Sequence, residues 1–294
     1  MKLRSPDLRS PAPRRAFFLA VLALAAAGLP AAGPAFRPAP DYVGGARPDQ
    51  AEGARVLEEF RRAGIAGDYW LSFDLRVLPR KGPERTVGGT LYGTRGDHGP
   101  LTRLELPAAA GPERWLIRSG AQPATWRWRA PADGPQALGP ADSLAPVAGT
   151  DFSVFDLQMP FLHWEDSVYE GLARVRGRPA HRLLLYPPAE HAAARPELTG
   201  VRVYLDTQFQ ALVQAELLGP KGEPEKSITV LDLQKVGEQW IVKSIDLRNH
   251  RTRDKTRFSA KAAAFDLRLP PATFAPDRLG ESAPPVPLDR IQRL

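Results

Sequence analysis

The 294-residue sequence contains no cysteine. That excludes disulfides, thiolate metal centres, a cysteine nucleophile and a lipid-modified N-terminal cysteine. Two methionines are too few for an adaptable Met-rich binding surface. The five histidines (His98, His163, His181, His191 and His250) form no HExxH and no two-histidine ligand spacing. His163 has Glu165 and Asp166 close by in sequence but no second histidine, so no metal site is expected. There is no GxSxG, no P-loop and no GxGxxG after a strand, so neither an enzyme nor a cofactor is expected. Long helices are also disfavoured, because the chain carries 31 prolines. Each removes a backbone donor and interrupts helical pairing, which points to short strands and turns.

What is present begins with an export-like segment. Lys2, Arg4, Arg9, Arg14 and Arg15 precede the apolar run AFFLAVLALAAAGLP, and small residues follow in AAGPA. Basic, greasy and small-residue regions in that order read as a signal peptide over 1–35, directing the chain to the periplasm. RRAFFL also fits a twin-arginine signal, although Pro13 occupies the usual polar position. Residues 1–35 hold five basic groups and one acid, so their removal lowers the net charge from +7 to +3. The remaining charges alternate along strand-like segments such as KSITVLDLQK, as on a solvated sheet face, and no nucleic-acid partner is expected. The basic run RNHRTRDKTR, Arg248 to Arg257, reads first as an exposed strand and turn and second as a contact for anionic head groups.

A Pro- and Gly-rich linker is expected over 36–48. An amphipathic helix follows over roughly 49–63, with Ala51, Ala54, Leu57 and Phe60 on its apolar stripe. The period then switches to two. In DYWLSFDLRV, Tyr69, Leu71, Phe73, Leu75 and Val77 share one face, and Ser72, Asp74 and Arg76 share the other. Similar segments recur at hairpin spacing through TRFSAKAAAFDLRLP, implying a mainly β antiparallel meander of about ten or eleven strands. A Pro-rich tail over 281–294 closes the chain.

One segment breaks the pattern. GTDFSVFDLQMPFLHW places Phe152, Val154, Phe155, Leu157, Met159, Phe161, Leu162 and Trp164 within thirteen residues, where a polar loop would be ordinary. Thr150 or Ser153 can cap a short helix, Asp156 three residues after Ser153 making a weak capping box, and Pro160 ends the helix after two turns. A sheet of this size must curl or be covered. The segment therefore reads as a short helical lid, Phe152, Phe155 and Leu157 over the concave face, Asp151 and Asp156 toward water. The strands add Leu71, Phe73 and Leu75, the pair Trp115 and Ile117, and the pair Trp126 and Trp128, whose neighbours Arg127 and Arg129 face the other way. Such aromatics serve a core or line a cavity for an apolar ligand.

TDFSVFDL, RGRPAHRLLLYP, VRVYLDTQFQALVQAELLGPKGEPEKSI and DLRLPPATFAPDRL, in that order, resemble the outer-membrane lipoprotein-sorting proteins, the LolA/LolB-like periplasmic carriers. The resemblance spans residues 49–280. It implies an open antiparallel half-barrel with helices over its mouth, and an apolar cavity for the acyl chains of lipids or lipoproteins. A membrane transporter that loads the carrier and an outer-membrane acceptor are the implied partners. No catalytic residues carry over. Two other readings stand beside the carrier: a lipid-sensing adaptor on the same fold, and an exported carbohydrate-binding or structural β protein with Trp126 and Trp128 stacked on sugar.

Overall fold

The computed structural model describes residues 36–108, 111–132, 134–139, 141–209 and 211–294. Residues 1–35, with the expected signal peptide, lie outside the described residues. Helix α1 (Gln50–Arg62) starts at Asp49, whose side chain accepts from the Ala51 N–H. Its buried face is Gly53, Val56 and Leu57, with Phe60 partly buried; Ala51 and Ala54, expected on that stripe, are exposed. Gly53 explains the rotation. The helix lies so close to Tyr169 that a Cβ at position 53 would overlap the Tyr169 side chain.

The sheet contains β1 (Asp68–Leu78), β2 (Arg85–Gly96), β3 (Gly99–Leu106), β4 (Glu113–Arg118), β5 (Ala124–Arg129) and β6 (Gln136–Ala137). After the lid come β7 (Ser167–Val175), β8 (Arg178–Leu185), β9 (Gly200–Asp206) and β10 (Leu212–Leu218), then β11 (Pro224–Val236), β12 (Gln239–Asn249), β13 (Lys255–Leu267) and β14 (Gln292–Arg293). Every pairing is antiparallel, and the order runs β6-β5-β4-β3-β2-β1-β13-β12-β11-β10-β9-β8-β7, with β14 added to β13. The sheet is open: β6 and β7 are its two ends and do not pair with each other. Strand number exceeds the expectation because YEGLARVRGRPAHRLLLYP is a hairpin, β7 and β8, and because β6 and β14 are only two residues each.

Curvature comes from irregular pairing. Register shifts interrupt β1–β13 at Ser72/Phe73 and β11–β12 between Val230 and Leu233. Bulges of this kind bend a strand and increase its twist. Small residues beside β1 then shape the concave wall. Phe73 pairs with Gly89 on one side and Ala260 on the other. A Cβ on Gly89 would sit 2.5 Å from the Phe73 ring and 2.8 Å from Leu106, so glycine there gives the ring its place.

The concave face carries the main core, from Phe73, Leu75 and Trp115 through Leu183, Val203, Ala215 and Leu247. The convex face of β2–β5 is covered by a strap from the chain's last quarter. Buried Arg103 donates to the Thr273 and Glu281 carbonyls, Arg114 donates to the Gly280 carbonyl at 2.5 Å, and Tyr92 reaches the Pro284 carbonyl at 3.5 Å. Residues 36–48 are held against β7 and the chain around it. Arg37 pairs with Asp166, the Val43 N–H donates to the Glu170 carbonyl, and the Tyr186 hydroxyl donates to the Pro38 carbonyl. Among the described residues no helix is long and apolar enough to cross a membrane.

Candidate lipid-binding cavity

The lid is helix α2 (Val154–Gln158), with a short 3-10 turn, Pro160–His163, behind it. Its start is the capping box read from the sequence: Asp156 N–H points at Ser153 Oγ (3.4 Å), and the Ser153 N–H donates to Asp156 Oδ2 at 2.8 Å. Met159 ends it in the left-handed region (φ 48°) ahead of Pro160.

Asp156 does not meet water as the sequence suggested. It is fully buried and accepts from Lys226 Nζ on β11 at 2.7 Å and from Ser153 Oγ at 2.7 Å. Asp151 is half-buried rather than free, accepting from the Thr256 hydroxyl on β13 at 2.9 Å. The two Ser153 donors and Lys226 converge on Oδ2, while Oδ1 is buried with no hydrogen-bond partner among the described residues; sequence spacing alone does not reveal the lysine. Arg85 on β2 holds the Ala148 and Gly149 carbonyls, and Gln158 donates to the Arg118 carbonyl at 2.9 Å. The lid is therefore tied to β2, β4, β11 and β13.

Beneath it lies a cavity of about 260 Å³. Of its sixteen lining residues only Thr102 and the Tyr69 hydroxyl are polar. Burial pushes the Tyr69 phenol above its ordinary value of 10, and its hydrogen bond with Thr102 opposes that rise. Leu71, Phe73, Leu75, Ile117, Phe152 and Leu157, all singled out from the sequence, line this cavity. Leu157, 36% exposed, also lines a second cavity of about 460 Å³ toward the end of α1 and the β2–β3 turn. Val242 and Ile245 are likewise common to both, so the two form one groove along the concave face. Volumes of this size fall within the ~300–1,000 Å³ range of small-ligand sites when taken together.

The other four residues lie elsewhere. Trp115 is on the concave side but packed into the core, with Arg127 over its ring at 5.4 Å. Phe155 is 1% exposed and turned away from the cavity, with Phe161 at 5.9 Å, Trp164 at 6.4 Å, His191 at 6.3 Å and the Arg195 guanidinium 5.3 Å over its face. Trp126 and Trp128 are on the opposite side of the sheet. They pair with Leu116 and Arg114 of β4, whereas Trp115 pairs with Arg127. On that side Gly280 packs against Trp128, and the Arg114 guanidinium lies 4.8 Å over the Trp128 ring. Placing them on the cavity face was an error of facing: the strap that covers Trp128 comes from more than 140 residues further along the chain.

Sequence reading missed the far wall. Ile241, Val242, Ile245 and Phe258 of β12 and β13 complete the cavity, and Ile65 and Leu91 close its edge. The alternation in QWIVKSIDL and TRFSA was visible, but which side faced the groove depended on the register between β12 and β13. Among the described residues no group of three or more His, Asp or Glu could hold a metal ion.

A family model described as "Uncharacterized protein" matches residues 101–281, more than half of the chain. The chain belongs to that family. No curated protein matches the sequence. Solved structures do. A DUF1329 family protein from Desulfovibrio piger superposes with a TM-score of 0.68 at 15% identity, covering 78% of this chain and 98% of that one. A putative outer membrane lipoprotein-sorting protein domain from Vibrio parahaemolyticus gives 0.66 at 16% identity, over 76% and 94%. A LolA superfamily protein from Nitrosomonas europaea gives 0.58 at 12% identity, over 77% and 98%. At these identities the likeness is one of fold, and the fold is the open half-barrel that the resemblance in sequence implied.

Proposed function

We propose that this protein is a periplasmic carrier that holds an acyl chain of a lipid or lipoprotein in the groove under α2. The observation that supports it most is the lining: an apolar groove kept open beneath a short lid, in a chain with greasy residues enough to fill it. An acyl chain in water costs about 0.8 kcal/mol per methylene, so sixteen carbons represent on the order of 12 kcal/mol before ordering costs. A carrier must capture that chain and also release it. An open sheet with a one-turn lid suits both, because only Leu157 and its neighbours need move to admit or expel the chain. Export through the segment 1–35, loading from a membrane transporter and delivery to an outer-membrane acceptor belong to the same proposal. No catalytic role is assigned.

Native mass spectrometry of protein purified from the periplasm tests the reading. Co-purifying lipid, released by denaturation and absent when Val242 and Ile245 are both changed to Trp to fill the groove, is the expected result. A clean mass, with no uptake of added fatty acid or lipopeptide, would sink it.

A further inference from the structure

The outer part of the groove carries charge of one sign. Twenty-two residues line it, and its floor is Leu212, Ile228, Val230, Val242 and Ile245. Its formally charged side chains are Arg61 and Arg95, with no Asp or Glu among the lining. Both arginines are positioned by backbone carbonyls. Arg61, in the last turn of α1, donates Nε to the Leu162 carbonyl at 2.6 Å and Nη2 to the Trp164 carbonyl at 3.4 Å. Arg95, near the end of β2, donates Nη1 to the Arg62 carbonyl at 3.2 Å and Nη2 to the Arg61 carbonyl at 3.0 Å. Neutral carbonyls fix a guanidinium without cancelling its charge. The nearest compensation is Glu58, 3.7 Å from Arg61. Arg95 is exposed, and two of its five N–H groups are committed.

His163 stands beside them. Burial, and then Arg61, hold its imidazole below the ordinary 6.5, with Glu58 opposing. It is thus a neutral hydrogen-bonding neighbour near pH 7 and not a third cation.

We infer that the preferred ligand is a single-headed anionic amphiphile, its carboxylate or phosphate held at Arg95 and Arg61 while its chain runs over Leu212, Val230 and Val242 toward Leu157. This rests on the acyl-chain reading above. Guanidinium matches both anions because its parallel N–H groups meet two oxygens at once. A plainer role exists for Arg95, capping the carbonyls at the end of α1. Capping needs hydrogen bonds; selecting an anion needs charge. Arg95→Gln keeps amide donors and removes the charge, so it separates the two.

The experiment compares four sixteen-carbon probes on the folded protein at low ionic strength: palmitate, palmitoyl lysophosphatidic acid, hexadecanol and monopalmitoylglycerol. The groove serves all four chains, so any difference belongs to the head. For a partly exposed pair the expected preference is about fivefold for either anion over the neutral probes. Arg95→Gln should erase that ratio and leave the neutral affinities unchanged, and high salt should do the same. A preference for only one anion identifies the head as carboxylate or phosphate. Equal affinities in the unmodified protein, or a preference that survives Arg95→Gln, would overturn the inference and leave the carrier reading standing. If none of the four binds, both fall.

Discussion

The two sides of helix α2 are set by residues about half a turn apart and behave as different materials. On one side Phe155 is closed into a cluster with Phe161, Trp164, His191 and Arg195. On the other Leu157 stands over a groove and shares its lining with Val242 and Ile245. Between them Asp156, pinned by Lys226, fixes which side is which. Sequence puts Phe152, Phe155 and Leu157 in one lid over the concave face. The structure divides them: Phe155 is closed into the core, while Phe152 and Leu157 line the cavity. The anchor and the cavity-lining residues thus lie on different sides of one short segment.

The largest test of that division is Phe155→Ala. A buried aromatic cut to alanine costs about 3–5 kcal/mol, so the melting temperature should fall steeply even without lipid. A shift no larger than that of an exposed substitution would mean Phe155 moves with the lid. Leu157→Ala should do the reverse. Its side chain is partly in water and borders open space, so the stability cost should stay below about 1 kcal/mol. Fatty-acid affinity should change by more than the melting temperature suggests, read by isothermal titration calorimetry on the same preparation.

The smallest expected effect concerns pH, and it sharpens the contrast on the closed side. Burial holds His191 below its ordinary 6.5, with Glu190 opposing. The unfolded chain therefore takes up the proton first as pH falls. Stability tied to the neutral ring is complete above about pH 6.5 and is lost progressively below it, toward the lower folded value. His163, His181 and His250 are lowered too, burial being the leading cause in each. Denaturant melts between pH 7.5 and 5.5 should show this slope, and His191→Gln should flatten part of it. A stability that rises on acidification would contradict the placement of His191.

Much of this is legible in the sequence. Alternation in DYWLSFDLRV gave the correct buried face of β1, because a half-buried strand writes its facing into every second residue. Ser153 and Asp156 gave the lid its start because capping chemistry is local. What failed was non-local. Trp126 and Trp128 alternate as Trp115 and Ile117 do, yet antiparallel pairing puts the two pairs on opposite faces. Both faces of β4 are buried, one by the lid and the other by the strap near Gly280. Alternation of apolar residues cannot tell a concave face from a convex one when distant chain covers both. Asp156 was misplaced for the same reason: its partner Lys226 lies seventy residues away.

Photolabelling tests the central claim most directly. A palmitic acid carrying a diazirine on its terminal carbon, bound and irradiated, leaves its mark wherever the chain end lies. Peptide mapping should find the label on β1 between Leu71 and Leu75, on the β12 segment from Ile241 to Ile245, or on the lid at Phe152 and Leu157. Label on β5 at Trp126 or Trp128, or scattered over the surface without saturation, would contradict an acyl-binding groove on the concave face.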